Sequence, residues 1–224
     1  MPSTLALIGG AEFLPGNEAI DRYLIDRSGG VAKTQGVIIP TAAARENPNL
    51  AARNGTRWFA SLGITIQTAM IVDRASANDA AIIEQIEHSK LFYLLGGDPR
   101  YLLDVLRDSK SWDVIVRKYH SESAVIAGSS AGAMVLCKWL TDFRGGFVPA
   151  LDLAPVPLAV APHYSRLRAL APSPPDEARW LGIAEKTGAV FEGQDWVVIG
   201  PGQVTVAEPG GTMNSFTNGD RFRL

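Results

Sequence analysis

The stretch "VIAGSSAGAM", Val125 to Met134, decides how this chain is read. A short apolar run ends in two serines, and Gly128 and Gly132 bracket Ser129, Ser130 and Ala131. Small residues on both sides of a hydroxyl permit a sharp turn that bulkier side chains would block. Gly128-Ser129-Ser130-Ala131-Gly132 fits G-x-S-x-G, a nucleophile elbow with Ser130 at its centre. Such a turn lifts the serine Oγ above a sheet, at a helix N-terminus whose dipole favours developing negative charge. The N–H of Ala131 would be one oxyanion donor, and Ser129 would face away as a structural residue. A loose turn of small residues has the same pattern, so the surroundings must carry the reading.

Those surroundings alternate. "TLALIGG", "GVIIPT", "TIQTAMIV", "LFYLLGG" and "SAVIAGS" read as buried strands that run into turn-forming residues. Between them lie amphipathic segments: "NEAIDRYLIDRS", "NLAARNGTRWFASLG", "NDAAIIEQIEHSK" and "PRYLLDVLRDSKSWDVIVRKYH". The third has Asn78 as its expected N-cap. Continuous apolar strands alternating with helices predict an α/β fold, a mostly parallel sheet with helices on both faces. After about Ala189, "WVVIG", "QVTVAE" and "GTMNSF" are parted by Gly-Pro, Gly-Gly and Asn-Gly turns, which predicts an antiparallel meander. No linker precedes it, so residues 1–224 are expected to form a single domain with the meander at its edge. "APSPPDEAR" reads as a surface loop leading into a helix.

Composition narrows the function. The chain has 224 residues, 46% hydrophobic and 20% charged, with a net charge of -2. That balance gives no sign of a nucleic-acid partner. Cys137 is the only cysteine, which excludes an intrachain disulfide and a cysteine metal cluster. The segment "MPSTLALIGG" lacks a basic leader and is too short for a membrane span, so a cytoplasmic location is the expectation.

A serine nucleophile needs a base. Of the three histidines, His88 and His120 fall in the last turns of expected helices, where an imidazolium meets the negative end of the dipole. His163 instead ends the apolar run "PVPLAVAPHY", at a strand tip, and is the candidate base. Between Ser130 and His163 the carboxylates are Asp142, in "LTDFRGG", and Asp152, in "ALDLAP". The residues alone do not choose between them as the group that orients the imidazole. Cys137 is read as a core residue of the helix after Ser130.

With these residues in hand, the chain resembles the serine peptidase family that contains dipeptidase E (aspartyl dipeptidase) and cyanophycinase. The motifs occur in order: "LALIGGAE", "VIIPTAAARE", "FYLLGGDPRYLL", "IAGSSAGAMVL", "LAVAPHYSRLR" and "LGIAEKTGAVFEGQDWVVIGPGQVTV". Together they span nearly the whole chain. The resemblance implies a class I glutamine amidotransferase-like, flavodoxin-like fold, with Ser130 matching the nucleophile and His163 the histidine. It places the acid between the two, which favours Asp142 over Asp152. It draws the second oxyanion donor from the Gly-Gly turn, at the N–H of Gly97, with Asp98 beside it in contact with substrate. Ala161 stands where cyanophycinase-like members carry an acidic residue. Their Arg-rich stretch is shortened here to "YSRLRAL", leaving Arg166 and Arg168 as substrate-binding cations.

The expected activity is therefore that of a serine hydrolase of short peptides, aspartyl dipeptides among them, with no cofactor or metal. The expected partner is a small peptide, with neither nucleic acid nor membrane involved and a homodimer as a possible assembly. The alternative is a non-catalytic amidotransferase-like binding or sensor module. A true glutamine amidotransferase fits poorly, because those enzymes carry cysteine where this chain has Ser130.

Overall fold

The computed structural model describes residues 3–121, 124–141, 146–164, 178–207 and 212–224. Its centre is the parallel sheet that the apolar runs predict. Strands β1 (Thr4–Ile8), β5 (Val125–Ser129), β4 (Leu91–Leu94), β2 (Gly36–Ile39) and β3 (Gln67–Thr68) pair in that order, all parallel. Both faces of β1, β5, β4 and β2 are covered, which is why they are buried throughout and largely apolar, while the short edge strand β3 is polar and partly exposed. In β1, Leu5 and Leu7 enter one core cluster while Ala6 and Ile8 enter the other, all fully buried.

Helices lie on both faces. Helices α1 (Glu18–Arg27) and α2 (Pro48–Ser61) supply Ile20, Leu24 and Phe59 to the cluster that holds Ile8 and Tyr93. The opposite face takes α3 (Ala80–Glu87), α4 (Pro99–Leu106), α5 (Lys110–Ser121) and α6 (Ala131–Val135), through Ile86, Leu102, Ile115 and Met134. Helix α2 starts with Pro48 after the N-cap Asn47, whose Oδ1 accepts from Leu50 N–H at 3.0 Å. The N-cap of α3 is Asp79, one residue later than expected, because the Asn78 carboxamide is engaged elsewhere. It donates to Arg74 O and accepts from Lys110 N–H. The segment expected as one long helix breaks into α4 and α5 around Asp108, which has φ 54°.

The C-terminal strands depart from a simple edge meander. Strands β10 (Gly188–Glu192), β11 (Asp195–Ile199) and β14 (Arg221–Phe222) extend the parallel sheet antiparallel beyond β1, giving eight strands. A second, six-stranded sheet has the order β13 (Met213–Thr217), β12 (Gln203–Ala207), β9 (Arg179–Ile183), β8 (Leu158–Ala161), β6 (Trp139–Thr141), β7 (Phe147–Pro149). Its inner residues Leu158, Val160, Leu181, Ile183, Val204 and Val206 share a core with Leu5 and Leu7. The turns were legible, but which sheet each strand joins depends on the packing of the inner faces. Strand β9 begins at the end of the Pro-rich stretch, where a helix is expected from sequence, and the stretch up to residue 177 lies outside the described residues. Among the described residues no helix is long and apolar enough to cross a membrane.

Candidate active site

The tips of β1, β5 and β4 lie side by side, and the chemistry gathers there. Ser130 joins β5 to α6 with φ 49° and ψ −109°, a conformation that L-residues rarely adopt. The flanking glycines make it possible. A Cβ on Gly128 would lie 2.4 Å from the backbone of Gly132, and one on Gly132 would lie 2.4 Å from Leu94 O. Ser130 N–H donates to Ile8 O at 2.9 Å, fixing the turn to the tip of β1. Cys137 lies just past α6, fully buried, and burial pushes its thiol well above the ordinary range.

His163 follows β8, and its Nε2 lies 3.0 Å from Ser130 Oγ. On the other side of the ring, Nδ1 lies 2.9 Å from Glu185 Oε1. One short segment aligns all three. Gly9 O accepts from His163 N–H, Gly9 N–H donates to Thr187 O, and Gly10 O accepts from Lys186 N–H. With Nδ1 protonated and donating to the carboxylate, Nε2 is left to accept the serine proton. Helix-end positions hold for the other histidines: His88 ends α3 and His120 sits in the last turn of α5.

The carboxylate at the imidazole thus differs from the expectation of an acid between Ser130 and His163. Asp142 lies outside the described residues. Asp152 is exposed, with its N–H bonded to Cys137 O, and Glu185 occupies Nδ1 in its place. Glu185 comes 22 residues after His163, beyond the end of β9. A carboxylate just past an apolar strand was the available signal, the same one that singled out Ser130 and His163.

Of the expected oxyanion donors, Ala131 is the first residue of α6, where a backbone N–H has no partner within the helix. Gly97 has φ 139°, and a Cβ there would lie 2.3 Å from Ala42 O. Its N–H has no acceptor among the described residues. Asp98 caps α4, with Oδ1 accepting from Tyr101 N–H and Oδ2 3.3 Å from Arg45. Arg166 and Arg168 lie outside the described residues.

One residue of the site was not singled out from sequence. Glu12 bridges the elbow and the Gly-Gly turn: Oε2 accepts from Ser129 Oγ at 2.8 Å and Oε1 from Gly96 N–H at 3.0 Å. Ser129 is fully buried, in keeping with the structural role read for it.

A strained serine on an α/β sheet, in contact with an imidazole that meets a carboxylate, has the layout of a serine-type peptidase. The model of peptidase family S51 matches residues 5–192, and the chain belongs to that family and is a serine-type peptidase. Among curated proteins, cyanophycinase of Trichormus variabilis is 29% identical over 224 residues, covering 92% of this chain and 74% of the relative. Cyanophycinase of Geminocystis herdmanii is 27% identical, over 96% of this chain and 84% of its own length. A crystal structure of a peptidase from an acI-B1 Actinobacterium superposes with a TM-score of 0.89 at 27% identity, covering 100% of this chain and 98% of that one. A putative peptidase E protein from Listeria monocytogenes shares the fold, with a TM-score of 0.66 at 15% identity over 90% of this chain and 100% of its own.

Proposed function

We propose that the protein hydrolyses short peptides, aspartyl dipeptides among them, through Ser130, His163 and Glu185. The observation that carries this reading is the unbroken contact chain from Ser130 Oγ through the imidazole to Glu185 Oε1. Ser130 attacks the scissile carbonyl while His163 Nε2 takes its proton. The N–H groups of Gly97 and Ala131 hold the oxyanion. His163 then protonates the departing amine, and water, deprotonated by the same imidazole, releases the acyl group. Glu185 keeps the ring in the productive tautomer and stabilises the imidazolium.

The aspartyl preference rests on the family resemblance and on Arg166 and Arg168, which come after the base in sequence and suit a carboxylate. The test is turnover of Asp-Leu and Asn-Leu by the wild type and by Ser130→Ala. The reading expects the wild type to prefer Asp-Leu by roughly tenfold or more, the scale of a charged hydrogen bond, and the variant to be inactive. Equal turnover of the two peptides removes the aspartyl assignment alone, and an active Ser130→Ala removes the nucleophile.

A further inference from the structure

Beside the elbow lies a cleft of about 560 Å³ between α2, the segment after β1 and the tip of β4. That size falls within the ~300–1,000 Å³ of ligand-binding clefts. Gly96 lines it, and a Cβ on Gly96 would lie 3.2 Å from Ser130 Cβ, so one lining residue of the cleft packs against the elbow. Phe13, Leu14, Trp58 and Leu95 make its walls largely apolar. Leu14 is 50% exposed, which leaves apolar surface for an occupant to cover. Trp58 is oriented by donating its Nε1–H to Asp21 Oδ2 at 2.7 Å, and Phe13 is braced against Phe59 and Tyr93.

The polar groups define the rest of the occupant. Both carboxylate oxygens of Glu12 are already taken, by Ser129 and by Gly96. Arg57 and Asn54, both exposed, line the same cleft from α2. Neither side chain has a hydrogen-bond or ionic partner among the described residues. A free guanidinium beside an apolar cleft complements a bulky apolar side chain that carries a carboxylate.

The geometry points to this cleft as the subsite for the C-terminal residue of the peptide, taking a large apolar side chain with its free α-carboxylate paired to Arg57. The inference rests on the peptidase reading and deepens it: the substrate is a dipeptide ending in a bulky apolar residue, and the C-terminal charge restricts its length.

Binding to the Ser130→Ala protein tests the subsite without requiring turnover. Calorimetry would compare Asp-Phe, Asp-Ala and Asp-Phe amide on that background, alone and combined with Arg57→Ala or Ala51→Phe. Arg57 is exposed, so its removal leaves the fold in place, and Ala51 borders the cleft, so a phenyl ring there occupies it. Asp-Phe should bind roughly tenfold or more tightly than either Asp-Ala or the amide. Arg57→Ala should abolish the advantage of acid over amide, and Ala51→Phe the advantage of Phe over Ala. Equal affinities for the three peptides, no binding of Asp-Phe in the millimolar range, or an acid preference that survives Arg57→Ala would overturn the subsite. A preference seen in binding with no hydrolysis by the wild-type protein would leave the subsite standing and remove the proposed hydrolysis of short peptides instead.

Discussion

Ser130 and Glu185 sit on opposite sides of the His163 ring, yet different parts of the molecule put them there. Ser130 is fixed locally: one strand, one turn and one short helix, with glycines that admit φ 49°. Glu185 is fixed by distant pairing, because it leaves β9 of the second sheet just before the chain enters β10 of the first. The backbone bonds of Gly9 and Gly10 then bring that crossing against the elbow. The proposed nucleophile is thus built into a motif, while the proposed supporting acid is built into the join between two sheets. Damage at the motif should act on chemistry alone, and damage at the join should act on orientation.

The contrast can be broken most sharply at Ser130, the proposed nucleophile. Ser130→Ala should lower kcat on the order of 10⁶-fold, the scale of removing a serine nucleophile, with an unchanged melting temperature. His163→Ala should come close to that loss. At the join, Glu185→Ala should cost about 10⁴-fold in kcat with KM little altered, as when an orienting carboxylate is removed from a triad. A Glu185→Ala protein with wild-type kcat would mean that the imidazole needs no partner at Nδ1.

A smaller effect is expected at Glu12, whose carboxylate ties Ser129 to Gly96. Glu12→Ala should lower kcat on the order of 10²-fold by loosening the Gly-Gly turn against the elbow. Glu12→Gln should recover most of it, since a carboxamide can still accept from Gly96 N–H and meet the Ser129 hydroxyl. Equal losses in the two variants would make the charge, not the bridge, the relevant property.

The smallest expected effect is on stability and lies beneath the cleft. Asp21 is fully buried, one of its oxygens has no partner among the described residues, and burial pushes its carboxyl up to about 7. The folded state therefore holds this proton more tightly than the unfolded chain does. Stability from the protonated group is complete below about pH 4 and is lost as the pH rises through about 7, a difference of a few kcal/mol. The contribution of this group should lower the wild-type melting midpoint between pH 5 and pH 8, and Asp21→Asn should reduce that fall. Identical pH dependence in the two proteins would show that Asp21 ionises as freely in the fold as out of it.

Much of this was legible in the chain. The apolar runs gave the parallel sheet because strands buried on both faces leave no polar position to interrupt them. Ser130 and His163 were readable because each comes directly after such a run. The partition of the C-terminal strands between two sheets was not readable, since "WVVIG" and "QVTVA" carry the same β-propensity and only packing separates them. Glu185 was hidden for the same reason. Its approach to His163 depends on where β9 and β10 lie, and the search for an acid was confined to residues between Ser130 and His163. Glu12 was missed because a glutamate after "LIGGA" has no local partner in sequence, and its two partners lie 84 and 117 residues away.

The most direct test of the central claim is to locate the adduct of a serine-directed fluorophosphonate by mass spectrometry. The wild-type protein should carry a single adduct on Ser130, formed far more slowly in His163→Ala and at a reduced rate in Glu185→Ala. An adduct on Ser129, no adduct at all, or equal labelling rates in the three proteins would contradict the relay from Glu185 through His163 to Ser130.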